Sequence, residues 1–563
     1  MTIGQKERNQ TGIPSNGFRS WLGWRVTGTA LLFLIIPILF VIAVAQLTKA
    51  KGPQWLPYTF ENPYAYLFNS LLVVKGEAPY STDHPGTTTQ VFGAIILRAS
   101  SVQSTDDLIA SVIQNPEKYI RKLHWALLIF TALVLWICPW LTAVALRNYI
   151  VGLVIQAPSL FYQALLWYGI LFGSDLMLVP FSIAAVCCCS LLAAPSAAPE
   201  KLEILFGIGD EAAAPGSVRL VRIRLLAALT GLVCAFGIVT KLTFFPLILI
   251  SLLFCRNLRN LATFAAAFVL GLAVALLPIY SQLWRMGTWI FNLGIHSGHY
   301  GTGAVGFPEI GEYLKSLWNL LETEPLVAII PIVTLIAVLV GSFSAKGQKH
   351  SRTVSWGTVL PLFALQLISL LAIAKHPARH YLIPLCLSTG LSLVLLFYVF
   401  QTTNGSAINR AIGWLALVGL LGLGFKDFIA LTPETYAELR HERADLLRLY
   451  QHAKELTKND VRIDYFFSDS PEYPMCYANG FSGGAFESLL VAKYPHALFF
   501  NVFNGMFQTF SDFIEPEVEL QRYDHLYFLG NPKFLRKVDG LDPKTFETID
   551  HAGDYYLQKW TRK

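Results

Sequence analysis

A polytopic α-helical membrane protein with a small C-terminal α/β unit is the fold class that three features of the sequence predict. Apolar runs near 20 residues recur from the N-terminal region to about residue 430, the length at which an α-helix crosses hydrocarbon. Of the 563 residues 54% are hydrophobic and 14% charged, with a mean hydropathy of +0.48; soluble domains carry about 25% charged residues. From about Pro433 the composition shifts to a charged amphipathic stretch and then to short β-rich runs. The net charge of +6 contains no basic block of the kind that binds nucleic acid.

Taken in order, residues 1–23 are polar, include Lys6, Arg8 and Arg19, and read as a cytoplasmic tail. Trp24 to Gln46 is the first span, read as an uncleaved anchor although Ala43-Val44-Ala45 resembles a signal-peptidase site. A large outer loop, residues 51–122, follows. The remaining spans are expected near 123–146, 149–171, 175–194, 224–240, 242–254, 261–281, 325–343, 355–374, 381–400 and 411–430, about eleven in all. The pair at 224–254 is interrupted by Lys241, and its second half is short.

An inside N-terminus collects Arg147, Lys201, Arg219, Arg222, Arg224, Arg256, Arg259, Lys346, Lys349, Arg352 and Arg410 in inside loops, which satisfies the positive-inside rule. An odd number of spans then places the C-terminal unit outside. Residues 195–222, rich in Ala, Pro and Gly, read as a cytoplasmic linker. In the unit 431–563, VRIDYFF, ALFFNVF, HLYFLG and YYLQKW read as strands and SGGAFESLLVAKYP as a helix between two of them. Seven of the eight cysteines lie in or beside apolar runs and only Cys476 lies in the C-terminal unit, so that unit has no disulfide framework.

The chemistry is expected on the outer side. Residues 57–97 hold Glu61, Asp83 and His84, a Pro-Gly turn and two apolar stretches too short to span, Tyr64–Val74 and Val91–Leu97. Asp175 opens a later span at the same face. Three acids at one face suit acid–base work on a polar substrate presented by a lipid. Ser174-Asp175 is equally good helix-capping chemistry, and Glu61 equally a first-turn charge. Asp83-His84-Pro85-Gly86 joins an acid, a titratable base and a rigid turn.

Lys241, Lys375 and Arg379 are expected to face outward near the headgroup level. They suit a phosphate there, or they snorkel. His296 and His299, in a Gly-rich outer loop, are spaced to ligate a metal. With no third ligand nearby, substrate contact or a plain loop role is the simpler reading, and the cofactor stays open between none and a divalent cation.

These pieces, in this order, resemble the integral-membrane glycosyltransferases of the GT-C class, such as protein O-mannosyltransferases and the bacterial aminoarabinose transferase that modifies lipid A. The resemblance covers about residues 24–430. It rests on Phe60-Glu61-Asn62-Pro63-Tyr64 against an Asp-Glu-x-x-Tyr motif and on Asp83-His84-Pro85-Gly86 against Asp-His-Pro-Pro. Further along it rests on Ser174-Asp175, on Gly237-Ile238-Val239-Thr240-Lys241, and on Arg379-His380-Tyr381-Leu382-Ile383-Pro384 against Arg-Tyr-x-x-Pro.

The resemblance implies inverting transfer of a sugar from a polyprenyl-phosphate carrier to a glycan, lipid or protein acceptor at the outer face. Glu61 or Asp83 would be the base, with Asp175 orienting a substrate or sharing that role. His84, Lys241, His296, His299, Lys375 and Arg379 are the candidate substrate contacts. The alternative is a polytopic transporter or lipid-carrier flippase. Such proteins concentrate polar groups near the midplane and often carry internal repeats; here the acids lie at span ends and no repeat is visible.

Overall fold

The computed structural model describes residues 28–56, 62–82, 86–193, 215–297, 305–344, 356–402, 407–458, 460–464, 470–501, 504–532 and 546–562. Glu61, Asp83, His84, His299 and most of the expected linker lie outside these residues.

The first span is α1 (Gly28–Lys51). The outer loop folds into α2 (Pro63–Lys75), α3 (Thr87–Ala99) and α4 (Thr105–Gln114). Asn62 starts α2 because its side chain accepts from the Tyr64 N–H at 2.9 Å and Pro63 needs no donor partner at the first helical position. Gly76 ends α2 in the left-handed region (φ +83°), where a side chain would be strained. Most of α2 is buried, so it packs against other helices.

Then come α5 (Pro116–Leu146), a bent pair Tyr149–Phe161 and Gln163–Gly169, α6 (Ser174–Ala193) and α7 (Pro215–Thr240). The end of the expected linker, from residue 215, is thus already helical. The backbone extends at Lys241 (φ −162°, ψ 138°), passes a 3-10 turn and resumes as α8 (Phe245–Phe254). Next are α9 (Leu258–Leu276), α10 (Leu283–Ile295) and α11 (Ile310–Thr323), the last bent by 83° from Leu326–Val340. Finally come α12 (Trp356–Ala374), α13 (Ile383–Thr402) and α14 (Ala407–Leu456).

Two expectations change. In the region of 282–322, which lies between two expected spans and reads as an outer loop, residues 283–295 and 310–323 form helices. The last span and the charged amphipathic stretch are one 50-residue helix that carries Pro433 inside it.

Among the described residues, 8 helices are long and apolar enough to cross a membrane, or 10 if each bent pair is one span. Ten crossings would leave the first loop and the C-terminal unit on opposite sides. Their contacts put them on one side. Asn62 Nδ2 donates to the Pro474 carbonyl at 3.1 Å, Asn69 Nδ2 to that of Phe481 at 3.0 Å, and Lys493 Nζ to that of Ile113 at 2.9 Å. Phe68 and Phe486 meet edge to face at 5.1 Å.

Leu242–Phe254, an apolar stretch shorter than these helices, joins two levels of the bundle. Lys241 at its start meets Asp175 at the head of α6, while Arg256 just past its end donates to Thr358 Oγ1 at 3.3 Å. Thr358 lies in the first turn of α12, a helix rise of roughly 25 Å from Lys375 just past its other end.

The C-terminal unit packs a seven-stranded sheet on α14 and on α15 (Tyr473–Gly480) and α16 (Glu487–Lys493). Its strands are β1 (Arg462–Asp464), β2 (Leu498–Asn501), β3 (Met506–Gln508), β4 (Phe513–Ile514), β5 (His525–Gly530), β6 (Glu547–Ala552) and β7 (Tyr555–Thr561). The spatial order is β4-β3-β2-β1-β5-β7-β6, with β1 parallel to both β2 and β5 and the other pairs antiparallel. All eight cysteines are free thiols.

Candidate active site

The site forms where the head of α6, the break after α7 and the 3-10 turn Arg379–Leu382 converge. Asp175 stands in the first turn of α6, beside Ser174, whose hydroxyl accepts from Tyr66 on α2 at 2.8 Å. Lys241 Nζ lies 3.0 Å from Asp175 Oδ1, with the two side chains 1% and 4% exposed. The same ammonium sits 5.3 Å from the centre of the Tyr381 ring. Lys241 therefore does not reach out to the headgroup level as expected; its backbone leaves the helix and its side chain turns into the bundle.

That break has a local cause. A Cβ at Gly237 would fall 2.5 Å from the Phe244 ring, so only a glycine one turn before Lys241 leaves room for the chain to fold back. The break also ties the first loop to the site. Thr240, still in α7, accepts from the Gly86 N–H through its carbonyl at 3.1 Å and meets Thr88 hydroxyl to hydroxyl at 2.6 Å. Gly86 itself is left-handed (φ +63°) and ends the Asp-His-Pro-Gly motif.

The remaining basic candidates are held elsewhere. Arg379 NH1 donates to Gln163 Oε1 at 2.8 Å, and its Nε lies 3.9 Å from Glu324 Oε1. Glu324 is buried and also accepts the Ala164 N–H at 2.7 Å. Lys375 Nζ donates to the carbonyls of Leu293 and Gly294 at 3.4 and 2.7 Å, capping the end of α10. His296 follows that helix in an isolated bridge to Val305. The structure thus joins Asp175 and Lys241, places Arg379 on the turn that delivers Tyr381, and gives Lys375 and His296 to α10. Among the described residues no group of three or more His, Cys, Asp or Glu side chains could hold a metal ion.

Sequence reading missed Tyr381 as a site residue, although it lies inside the quoted Arg-His-Tyr segment. It also missed Glu324, Gln163 and Glu117. Glu117 receives the Gln54 and Trp55 N–H groups and the Tyr64 hydroxyl, the last at 2.6 Å, and so pins both ends of the segment that carries Glu61. Its only local signal is an acid in a first helical turn, after Asn115-Pro116.

No family model matches the chain, and no curated protein does. Among solved structures it is similar to ArnT from Cupriavidus metallidurans in the apo state, at 10% identity over 95% of this chain and 98% of that one, with a TM-score of 0.49. ArnT from the same organism bound to undecaprenyl phosphate gives 8% identity over 95% and 98%, with a TM-score of 0.48. The Archaeoglobus fulgidus oligosaccharyltransferase in complex with Zn and sulfate gives 13% identity over 78% of this chain and 57% of that one, with a TM-score of 0.40.

Proposed function

We propose that the chain is a multi-pass membrane glycosyltransferase that moves a sugar from a polyprenyl-phosphate carrier to a hydroxyl acceptor, with inversion, at the outer face of a cell membrane. One observation carries the reading. Four motif segments far apart in sequence, ending at Gly86, starting at Ser174, ending at Lys241 and running through Tyr381, meet at one buried point.

The arrangement suits that chemistry. Lys241 is a cation held in a low-dielectric setting, able to stabilise charge that develops on a departing lipid phosphate. Asp175 aims the ammonium and keeps it compensated until a phosphate arrives. The Tyr381 ring lies 5.3 Å from the same ammonium, a second favourable contact for the cation. A carboxylate from the first loop, Glu61 or Asp83, takes the acceptor proton as the hydroxyl attacks. No step is assigned to a divalent cation. The N-terminus is cytoplasmic, and the first loop and C-terminal unit face outward together.

Mass spectrometry of envelope glycans and glycolipids tests this in wild type, a deletion strain, and Glu61→Gln, Asp83→Asn and Asp175→Asn strains with equal protein levels. The deletion and at least one acid variant should lose the same sugar mass. If the deletion changes the glycans while all three variants match wild type, the acids are structural and the transport reading takes over.

A further inference from the structure

The segment that precedes Asp83 is gripped by three separate parts of the fold. Asn69 on α2 is buried and uses its whole amide. Its Oδ1 accepts the Tyr80 and Ser81 N–H groups at 2.8 and 3.0 Å, and its Nδ2 donates to the Ala65 and Phe481 carbonyls. Gln90 on α3 donates to the Ser81 carbonyl at 3.0 Å. Arg285 on α10 donates to the Tyr80 carbonyl at 3.0 Å and lies 4.1 Å from the centre of the Tyr80 ring. Against that ring stands Gly483 of the C-terminal unit, left-handed at φ +67°, where a Cβ would come within 2.9 Å of the ring.

Of these ties, the one from α10 comes from a helix that lies on the surface of the fold. No residue of α10 is buried. The helix is held at its start by Arg285 and at its end by Lys375, both through backbone carbonyls. A guanidinium that hydrogen-bonds a carbonyl while stacking on the same residue's ring fixes that residue in both position and orientation, which a lysine does less well.

We propose that Arg285 is a positioning residue: from α10 it holds Tyr80–Thr82 against α2 and the Gly483 turn, and so sets the entry of the chain into the Asp-His-Pro-Gly motif. Its catalytic consequence rests on the glycosyltransferase reading; the grip itself does not. Movement of α10 and order at Tyr80 and Ser81 are therefore linked, although Arg285 and Tyr80 lie 205 positions apart in sequence.

Hydrogen–deuterium exchange on the full-length protein in nanodiscs tests the grip in wild type, Arg285→Ala, Arg285→Lys and Tyr80→Ala. In Arg285→Ala, exchange in a peptide covering residues 77–82 should rise about tenfold, the factor expected for a lost charge-assisted hydrogen bond. Arg285→Lys should recover part of the protection, and peptides from α5 and α6 should match wild type. Unchanged exchange at 77–82, or a rise spread over the whole protein, overturns the proposal. The same variants are scored for envelope glycans against the deletion strain. If the deletion changes no glycan, the transferase reading fails while the exchange result still stands. If the deletion removes a glycan and Arg285→Ala loosens 77–82 without lowering it, the positioning role is overturned.

Discussion

Asp175 and Lys241, 66 positions apart in sequence, form an ion pair at 3.0 Å that is nearly sealed from solvent. Neither charge has water to fall back on, so the pairing compensates both. Removing one partner takes that compensation from the other. Asp175→Asn should lower stability by about 3–5 kcal/mol and abolish the proposed sugar transfer, whereas the double variant Asp175→Asn with Lys241→Met should regain much of the stability and none of that proposed activity. Thermal unfolding in detergent beside glycan analysis separates the two effects. A double variant no more stable than Asp175→Asn would show that the pair matters through something other than charge compensation.

The ring of Tyr381 above Lys241 is testable on its own. Tyr381→Phe keeps the face that attracts the ammonium and should lose less stability than Tyr381→Leu. Tyr381→Leu should lose about 0.5–2 kcal/mol, the range for a cation over an aromatic face. Equal unfolding temperatures for the two variants would remove the ring from the account.

Gly237 predicts a steric effect. Its added Cβ would meet the rigid Phe244 ring at 2.5 Å. Gly237→Ala should therefore destabilise by about 1–3 kcal/mol, the usual cost of overpacking, and Gly237→Ala with Phe244→Leu should recover part of it. Unfolding midpoints of the two proteins decide the matter.

The C-terminal unit is fastened to α14 by an acid-sensitive clasp. Asp550 Oδ2 receives Arg448 NH1 and His452 Nδ1, each at 2.7 Å. Partial desolvation pushes the Asp550 carboxyl up, but the hydrogen bonds from His452, Arg448 and the His551 N–H outweigh it and hold the group at about 2, against an ordinary 3.8. A carboxyl whose pKa is depressed by folding stabilises the fold above its unfolded value. That stability is lost as pH falls from about 4 to about 2, because the unfolded chain then binds the proton first. Asp550→Asn should remove this part of the acid dependence and leave behaviour near pH 7 less stable than wild type. The readout is unfolding of the C-terminal unit across that pH window.

Much of the architecture is legible without the structure because it follows from local rules. Span positions follow from apolar length, and α2 starts at Asn62-Pro63 because a capping amide and a proline suit a first turn. The strands at 462–464, 498–501 and 525–530 fall within runs that read as β from composition, and the one at 555–561 extends one residue past its run. Where local rules conflict, reading fails. Pro433 and the charge step near it mark a boundary in sequence, yet the helix runs through both, since a proline's lost backbone bond is tolerable where neighbours support the helix.

By itself, the sequence determined the helical class, the C-terminal α/β unit and the order of the acidic and basic motifs along the chain. Those depend on composition, period and short-range turn chemistry. Only the tertiary structure decided which motif residues meet. Lys241, Lys375 and Arg379 look alike as cations at span ends. One is buried on Asp175 under Tyr381, one caps α10, and one binds Gln163 and Glu324. Their fates differ because the partner of a side chain is set by the rotation and level of helices distant in sequence, and no local pattern encodes that.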